Sequence, residues 1–180
     1  MILLFLAEGF EETEALGTTD ILRRAGINVK TAGVGGKEIT GSHGITVTAD
    51  YSIDSLPDEP IEGTILPGGI PGTPNLDKKE RVRELVGYTY NNGLLTAAIC
   101  AGPSVLGHMG ILEGRRATCY PGFETELEGA EYTGEPVTVS GHVITGNGAG
   151  SVFLFGGEIV SYILGKEKAD EVLKGMQYKK

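Results

Sequence analysis

Cys100 closes an apolar run, Leu94 to Ile99, and is followed at once by Ala101, Gly102 and Pro103. Strand, nucleophile, tight turn and helix in that order make a nucleophile elbow, where small neighbours are needed because the turn is too sharp for larger side chains. Pro103 suits a first helical position, and a helix start turns free N–H groups and its positive end toward the sulfur. That dipole, at most about 2 kcal/mol, would bring a thiol from about pH 8.5 only to about 7, so other groups must help. The plain alternative is a buried cysteine that packs as a small hydrophobe.

Two further segments carry candidate chemistry. Pro67-Gly68-Gly69 follows the short apolar run Gly63 to Leu66. Consecutive glycines there make a turn, and beside a nucleophile the N–H groups of Gly69 and Ala101 can form an oxyanion hole. Glu14 lies in an acidic stretch with Glu11 and Glu12. Acidic residues in a first helical turn complement the helix dipole, which accounts for Glu11 and Glu12. Glu14 differs because it abuts the apolar stripe that faces the sheet. A thiolate and a carboxylate about 4 Å apart repel by roughly 4 kcal/mol, about three pKa units. Glu14 and Cys100 are therefore expected to share one proton, and either can serve as acid or base.

Other motifs carry less. Gly146-Asn147-Gly148-Ala149-Gly150 fails as a dinucleotide fingerprint at Ser151, lacks a following βαβ unit, and reads as a tight turn near the pocket. No Walker A pattern occurs. His43, His108 and His142 show no metal-ligand spacing with one another, so no metal and no organic cofactor is expected. His108 falls on the elbow helix and reads as structural. Cys119 is a second thiol, passive or oxidisable.

The elements that position these residues alternate in type. Residues 1–7 form an apolar strand, 13–25 a helix with a stripe at Ala15, Thr18, Leu22 and Ala25, and 27–32 a second strand. A hairpin is expected within 37–48, a strand over 63–66, a helix over 79–91, a strand over 94–99 and a short helix over 103–109. Two strands meeting at Gly141 and helices over 151–164 and 167–176 complete the pattern. This predicts an α/β fold, a doubly wound mostly parallel sheet with helices on both faces, in one domain over residues 1–180. Ligands in such sheets bind beyond the carboxyl ends of the strands, where all three candidate segments fall.

Composition agrees. The chain has 180 residues, 40% hydrophobic and 22% charged, with 29 glycines. A net charge of −9 with no Lys/Arg footprint argues against nucleic acid, and the basic stretch 174–180 reads as a solvated helix end. No apolar run is long enough for a membrane span, and the apolar start lacks a basic leader. Two cysteines make no disulfide framework, so a cytoplasmic location is expected.

With Cys100 in Ala97-Ala98-Ile99-Cys100-Ala101-Gly102-Pro103, Glu14 ending Ala7-Glu8-Gly9-Phe10-Glu11-Glu12-Thr13-Glu14, and Leu66-Pro67-Gly68-Gly69, the chain resembles the ThiJ/PfpI superfamily over nearly its full length. Ile21-Leu22-Arg23-Arg24-Ala25-Gly26 is similar to the branch containing the Parkinsonism-associated protein deglycase and its bacterial relatives. The resemblance implies a flavodoxin-like, class I glutamine amidotransferase-like sandwich, a homodimer, and Cys100 as nucleophile with Glu14 sharing its proton. It implies action on small reactive 2-oxoaldehydes or glycated proteins without glutathione, or alternatively redox sensing or chaperoning through oxidation of Cys100. By position, Arg24 and His43 are expected near the pocket or the dimer contact. Two departures matter. The protease-like branch has a histidine directly after the cysteine, whereas Ala101 stands here, so peptidase activity is not expected. The deglycase branch often has a histidine where this chain has Tyr120. A phenol there can hydrogen-bond a substrate oxygen but shuttles protons less well than imidazole near neutrality.

Overall fold

The computed structural model describes residues 1–178. β1 (Ile2–Leu6) is apolar throughout, and its side chains divide between two cores with the two-residue period of a strand. Leu4 and Leu6 join Ile65, Ala97, Ile99 and Phe155 on one face, while Leu3 and Phe5 join Leu66, Ala98 and Val105 on the other. A strand covered on both faces needs that unbroken apolar run.

The order continues through α1 (Glu12–Arg24), β2 (Val29–Gly33), the hairpin β3 (Glu38–Thr40) and β4 (Thr46–Thr48), β5 (Tyr51–Ser52) and β6 (Gly63–Leu66). α2 (Gly72–Lys78), α3 (Glu80–Asn91), β7 (Leu95–Ile99) and α4 (Pro103–His108) follow. β8 (Arg116–Ala117), β9 (Glu131–Tyr132), β10 (Val137–Ser140), β11 (Val143–Gly146), α5 (Val152–Leu164) and α6 (Lys166–Gly175) come last among the described residues. The main sheet runs β10-β11-β7-β6-β1-β2-β5, with only β10 antiparallel to its neighbour. One core takes in α1, α5 and α6, and the other α2, α3 and α4, so helices cover both faces. The fold is the mostly parallel, flavodoxin-like α/β sandwich.

Three details differ from the sequence expectation. The second strand begins at Val29, because Ile27 and Asn28 still belong to the turn after α1. α2 was not expected: its one buried large apolar side chain is Leu76, too little to set up a helical period. Beyond α4 the short β8 and β9 pair in parallel with two residues each, below what alternation can reveal. At the basic end, Lys179 and Lys180 lie outside the described residues.

The three central strands β1, β6 and β7 are neighbours, with Leu4 opposite Ile65 and Leu66 opposite Ala98. Their carboxyl ends therefore open side by side. Behind them Thr64 of β6, Thr89 of α3 and Thr96 of β7 are fully buried and linked, Thr64 Oγ1 to Thr89 Oγ1 at 2.8 Å and Thr89 Oγ1 to Thr96 Oγ1 at 3.2 Å. Thr89 also donates to the Val86 carbonyl. Removing the central hydroxyl leaves the Thr64 hydroxyl short of a partner, at about 1–3 kcal/mol, while Thr96 keeps its bond to the Leu94 carbonyl at 3.2 Å. Thr89→Val should accordingly lower the urea unfolding free energy by roughly that amount; an unchanged midpoint would show that the three hydroxyls do not act as a unit.

Candidate active site

The first strand end leads into Glu11, which caps α1: its Oε2 accepts the Glu14 N–H at 2.7 Å. That cap turns Glu14 inward beside Ala15, and the carboxylate is 1% exposed. One of its oxygens, Oε2, accepts the Gly68 N–H at 2.8 Å, while Oε1 is buried without an N–H or O–H partner. The same glycine brings the nucleophile close. A Cβ added at Gly68 would stand 2.6 Å from Cys100 Cβ, 2.7 Å from Glu14 Oε2 and 2.9 Å from Cys100 Sγ. No residue with a side chain fits between the two groups.

Cys100 adopts φ 65°, left-handed backbone that a residue other than glycine holds at about 1–3 kcal/mol of strain. The surroundings hold it there: the Cys100 N–H donates to the Gly146 carbonyl at 2.9 Å, and its own carbonyl accepts the Tyr120 N–H at 2.8 Å. Gly102 completes the elbow, since a Cβ there would lie 2.6 Å from the Leu66 carbonyl oxygen. The side chain of Cys100 is half-buried.

Burial, partly offset by hydrogen bonds from Cys100 and the Gly68 N–H, pushes the Glu14 carboxyl up to about 7. Burial and the facing Glu14 carboxylate push the Cys100 thiol up to about 12, against the N–H groups of Ala101 and Gly69, which point at the sulfur. Both groups move upward because neither anion is stable beside the other in a shared, poorly hydrated space. Above about pH 7 the pair consequently holds one proton, on the thiol, and a second binds as the pH falls through about 7. The expected lowering of the thiol by the helix start does not occur: α4 has only six residues, and burial together with Glu14 outweighs it.

Glu12 needs a different account from simple dipole complementation. It is 5% exposed and turns toward the β3–β4 hairpin, where Oε1 accepts the His43 N–H at 2.7 Å and Oε2 meets His43 Nδ1 at 2.8 Å. Burial alone would raise this carboxyl, but hydrogen bonds from the His43 ring and backbone and from Ile45 hold it at about 2. His43 is thus placed beside Glu11 and Glu12 rather than on the sulfur, and its ring pKa is raised by the bond to Glu12. Those three residues bring one ligand atom each within 4.8 Å, but the Glu12 oxygens are already taken by the hairpin.

Tyr120 does reach the site, through its backbone bond to Cys100. Arg24 does not. It lies ten residues from Glu14 along α1, about 15 Å at 1.5 Å per residue, and pairs with Asp20. His108 bridges Asp77 at 2.8 Å and Glu126 at 2.8 Å, tying α4 to α2 and to the loop that follows Tyr120. Cys119 is fully buried, and burial and Glu124 raise its thiol to about 11. Gly68 as the Glu14 donor was missed: the glycine pair could be seen in the sequence, but not which N–H faces which anion.

Residues 1–162 match the DJ-1/PfpI family model. The chain belongs to the DJ-1/PfpI family. It is 35% identical to Protein dj-1beta of Drosophila melanogaster over 177 residues, covering 97% of this chain and 95% of that one. It is 33% identical to Glutathione-independent glyoxalase DJR-1.2 of Caenorhabditis elegans, covering 96% of this chain and 93% of that one. Among solved structures, oxidized Toxoplasma gondii DJ-1 superposes with a TM-score of 0.95 at 30% identity, over 99% of this chain and 98% of that one. Among the described residues of this DJ-1/PfpI member, no helix is long and apolar enough to cross a membrane.

The raised Glu14 pKa has a consequence for stability. Glu14 titrates near its ordinary 4.5 when unfolded and about 7 when folded, so the folded state binds the extra proton between those values. Its contribution is fully present below about 4.5 and is lost as pH rises through about 7, a span worth roughly 3 kcal/mol. Comparing urea midpoints at the two ends of that window, wild type should lose this stability and Glu14→Gln should not. An identical pH slope in both proteins would contradict the assignment.

Proposed function

We propose that this protein is a cysteine-dependent, glutathione-independent glyoxalase, with deglycase action on protein adducts of the same aldehydes. The observation that carries the reading is the single proton held between Cys100 and Glu14 beneath two backbone N–H groups. Sulfur adds readily to the aldehyde carbon of a 2-oxoaldehyde. As it does so, Glu14 takes the thiol proton, and the N–H groups of Gly69 and Ala101 pass from the sulfur to the developing oxyanion. Glu14 returns that proton to the oxyanion, giving the hemithioacetal, and as a carboxylate again moves a proton from the former aldehyde carbon to its neighbour while the hydroxyl proton passes to the neighbouring oxygen, leaving a thioester of a 2-hydroxy acid. Water cleaves it, releasing the acid and restoring the Cys100 thiol. The sum is one aldehyde plus one water to one hydroxy acid, with no external oxidant or cofactor.

The resemblance to a protein named as a glutathione-independent glyoxalase supports this reading. Leu16 and Phe153 are both partly exposed where α1 and α5 meet at Gly17 and Val152, which supports a homodimer through that face. A second reading rests on the half-buried sulfur with Ala101 and Gly69 aimed at it: that cradle also suits a sulfinate, so peroxide rather than an aldehyde would be the reactant.

Methylglyoxal disappearance and lactate formation, measured without glutathione, separate the two. Wild type should turn over, Cys100→Ser should not, and Glu14→Gln should fall by about 10²–10⁴-fold, the usual weight of a general acid–base. Absence of turnover in wild type would sink the glyoxalase reading and leave the peroxide reading, which requires Cys100 to gain two oxygens by mass.

A further inference from the structure

Three hydrogen bonds close a ring at the start of α1. The Glu11 N–H donates to the Gly68 carbonyl at 3.0 Å, the Gly68 N–H donates to Glu14 Oε2 at 2.8 Å, and the Glu14 N–H donates to Glu11 Oε2 at 2.7 Å. The backbone is packed tightly against this ring. At Gly69, which sits at φ 96°, an added Cβ would stand 2.5 Å from the Glu11 nitrogen. Glutamate is not among the residues preferred as an N-cap, where Ser, Thr, Asp and Asn supply an oxygen at shorter reach. What Glu11 supplies that Ser, Thr or Asn would not is a negative charge, on a side chain only 16% exposed and bonded to the backbone of Glu14.

We propose that Glu11 is a positioning residue for the Cys100–Glu14 pair: its cap fixes where the Glu14 carboxyl sits, and its charge governs how readily that carboxyl gives up a proton. Glu14 is faced by Cys100 from the turn after β7, by the Gly68 N–H from the turn after β6, and by Glu11 from its own helix. Burial is the largest cause of its raised proton affinity, hydrogen bonds from Cys100 and Gly68 oppose it, and repulsion from Glu11 adds to it. Glu11 is faced in turn by His43 of the β3–β4 hairpin, whose Nδ1 is 3.9 Å from Glu11 Oε1 but 2.8 Å from Glu12 Oε2, so Glu12 takes the hydrogen bond and the Glu11 charge is left to act on Glu14. The inference deepens the glyoxalase reading above and rests on it for any effect on turnover, but both roles of Glu11 can be measured in the resting protein.

The test uses glutamate isotope-labelled at its side-chain carboxyl carbon and follows the Glu14 NMR shift against pH, assigned by its loss in Glu14→Gln. Glu11→Gln keeps an oxygen for the cap and removes the charge. The Glu14 midpoint should fall by about half a pH unit or more in that variant, the direction expected when a like charge is taken away. Glu11→Ala removes the cap as well, and hydrogen exchange at the Glu14 amide should quicken by about tenfold, while in Glu11→Gln it stays close to wild type. An unchanged midpoint in Glu11→Gln, or unchanged exchange in Glu11→Ala, overturns the inference. Should Glu11→Gln not fold, Glu11→Ser, a preferred neutral cap, makes the same midpoint comparison. Where methylglyoxal is turned over, the acid limb of kcat/KM should move to lower pH with the midpoint, and a limb that stays in place overturns the link to catalysis. A shifted midpoint in a protein without turnover defeats the glyoxalase reading and leaves the role of Glu11 standing.

Discussion

One proton shared between a buried carboxylate and a half-buried thiol is the constraint on which the rest of the site depends. Two anions in that space would repel, and two neutral groups would leave nothing to start a reaction. The fold keeps the pair in the intermediate state by geometry. Register between β6 and β7 sets Gly68 against Cys100, the absent side chain of Gly68 lets Glu14 reach across, and the strained backbone of Cys100 turns its sulfur to meet it. The strain is held by backbone bonds to Gly146 and Tyr120, at the ends of two other segments. Small shifts in any of these would change where the proton resides.

The same logic explains why Glu12 and Glu14, two residues apart, behave so differently. Glu12 collects donors from the hairpin and stays ionised to about pH 2, whereas Glu14 has one N–H donor, faces a thiol and rises to about 7. Neighbouring carboxyls separated in this way by their surroundings divide the labour of a site. Glu12 anchors the β3–β4 hairpin, and Glu14 is left free to exchange a proton.

Much of this was legible in the amino-acid order. Continuous apolar runs marked the central strands because burial on two faces leaves no room for polar alternation. Small residues around Cys100 marked the elbow because a turn that sharp admits nothing else. α2 stayed hidden because a seven-residue helix with one buried leucine has no measurable period. Arg24 falls at the end of α1 away from the sulfur, which leaves the dimer contact as its expected place, because a sequence shows that a residue is on a helix but not which end meets the ligand. The His43–Glu12 bond spans 31 positions and depends on hairpin docking, which no local pattern encodes. For the thiol, the helix start and Glu14 were expected to act in opposite directions, and burial, which no local pattern encodes, decides for the upward shift together with Glu14.

The central claim is most directly tested by infrared difference spectroscopy across pH, following the S–H stretch of Cys100 and the protonated carboxyl stretch of Glu14 in one sample. Cys100→Ser and Glu14→Gln assign the two bands. The account predicts that well inside the window from about pH 7 to about 12 the two signals together correspond to one proton, with a second binding as the pH falls through about 7. Loss of both bands at neutral pH, leaving thiolate and carboxylate side by side, would contradict it.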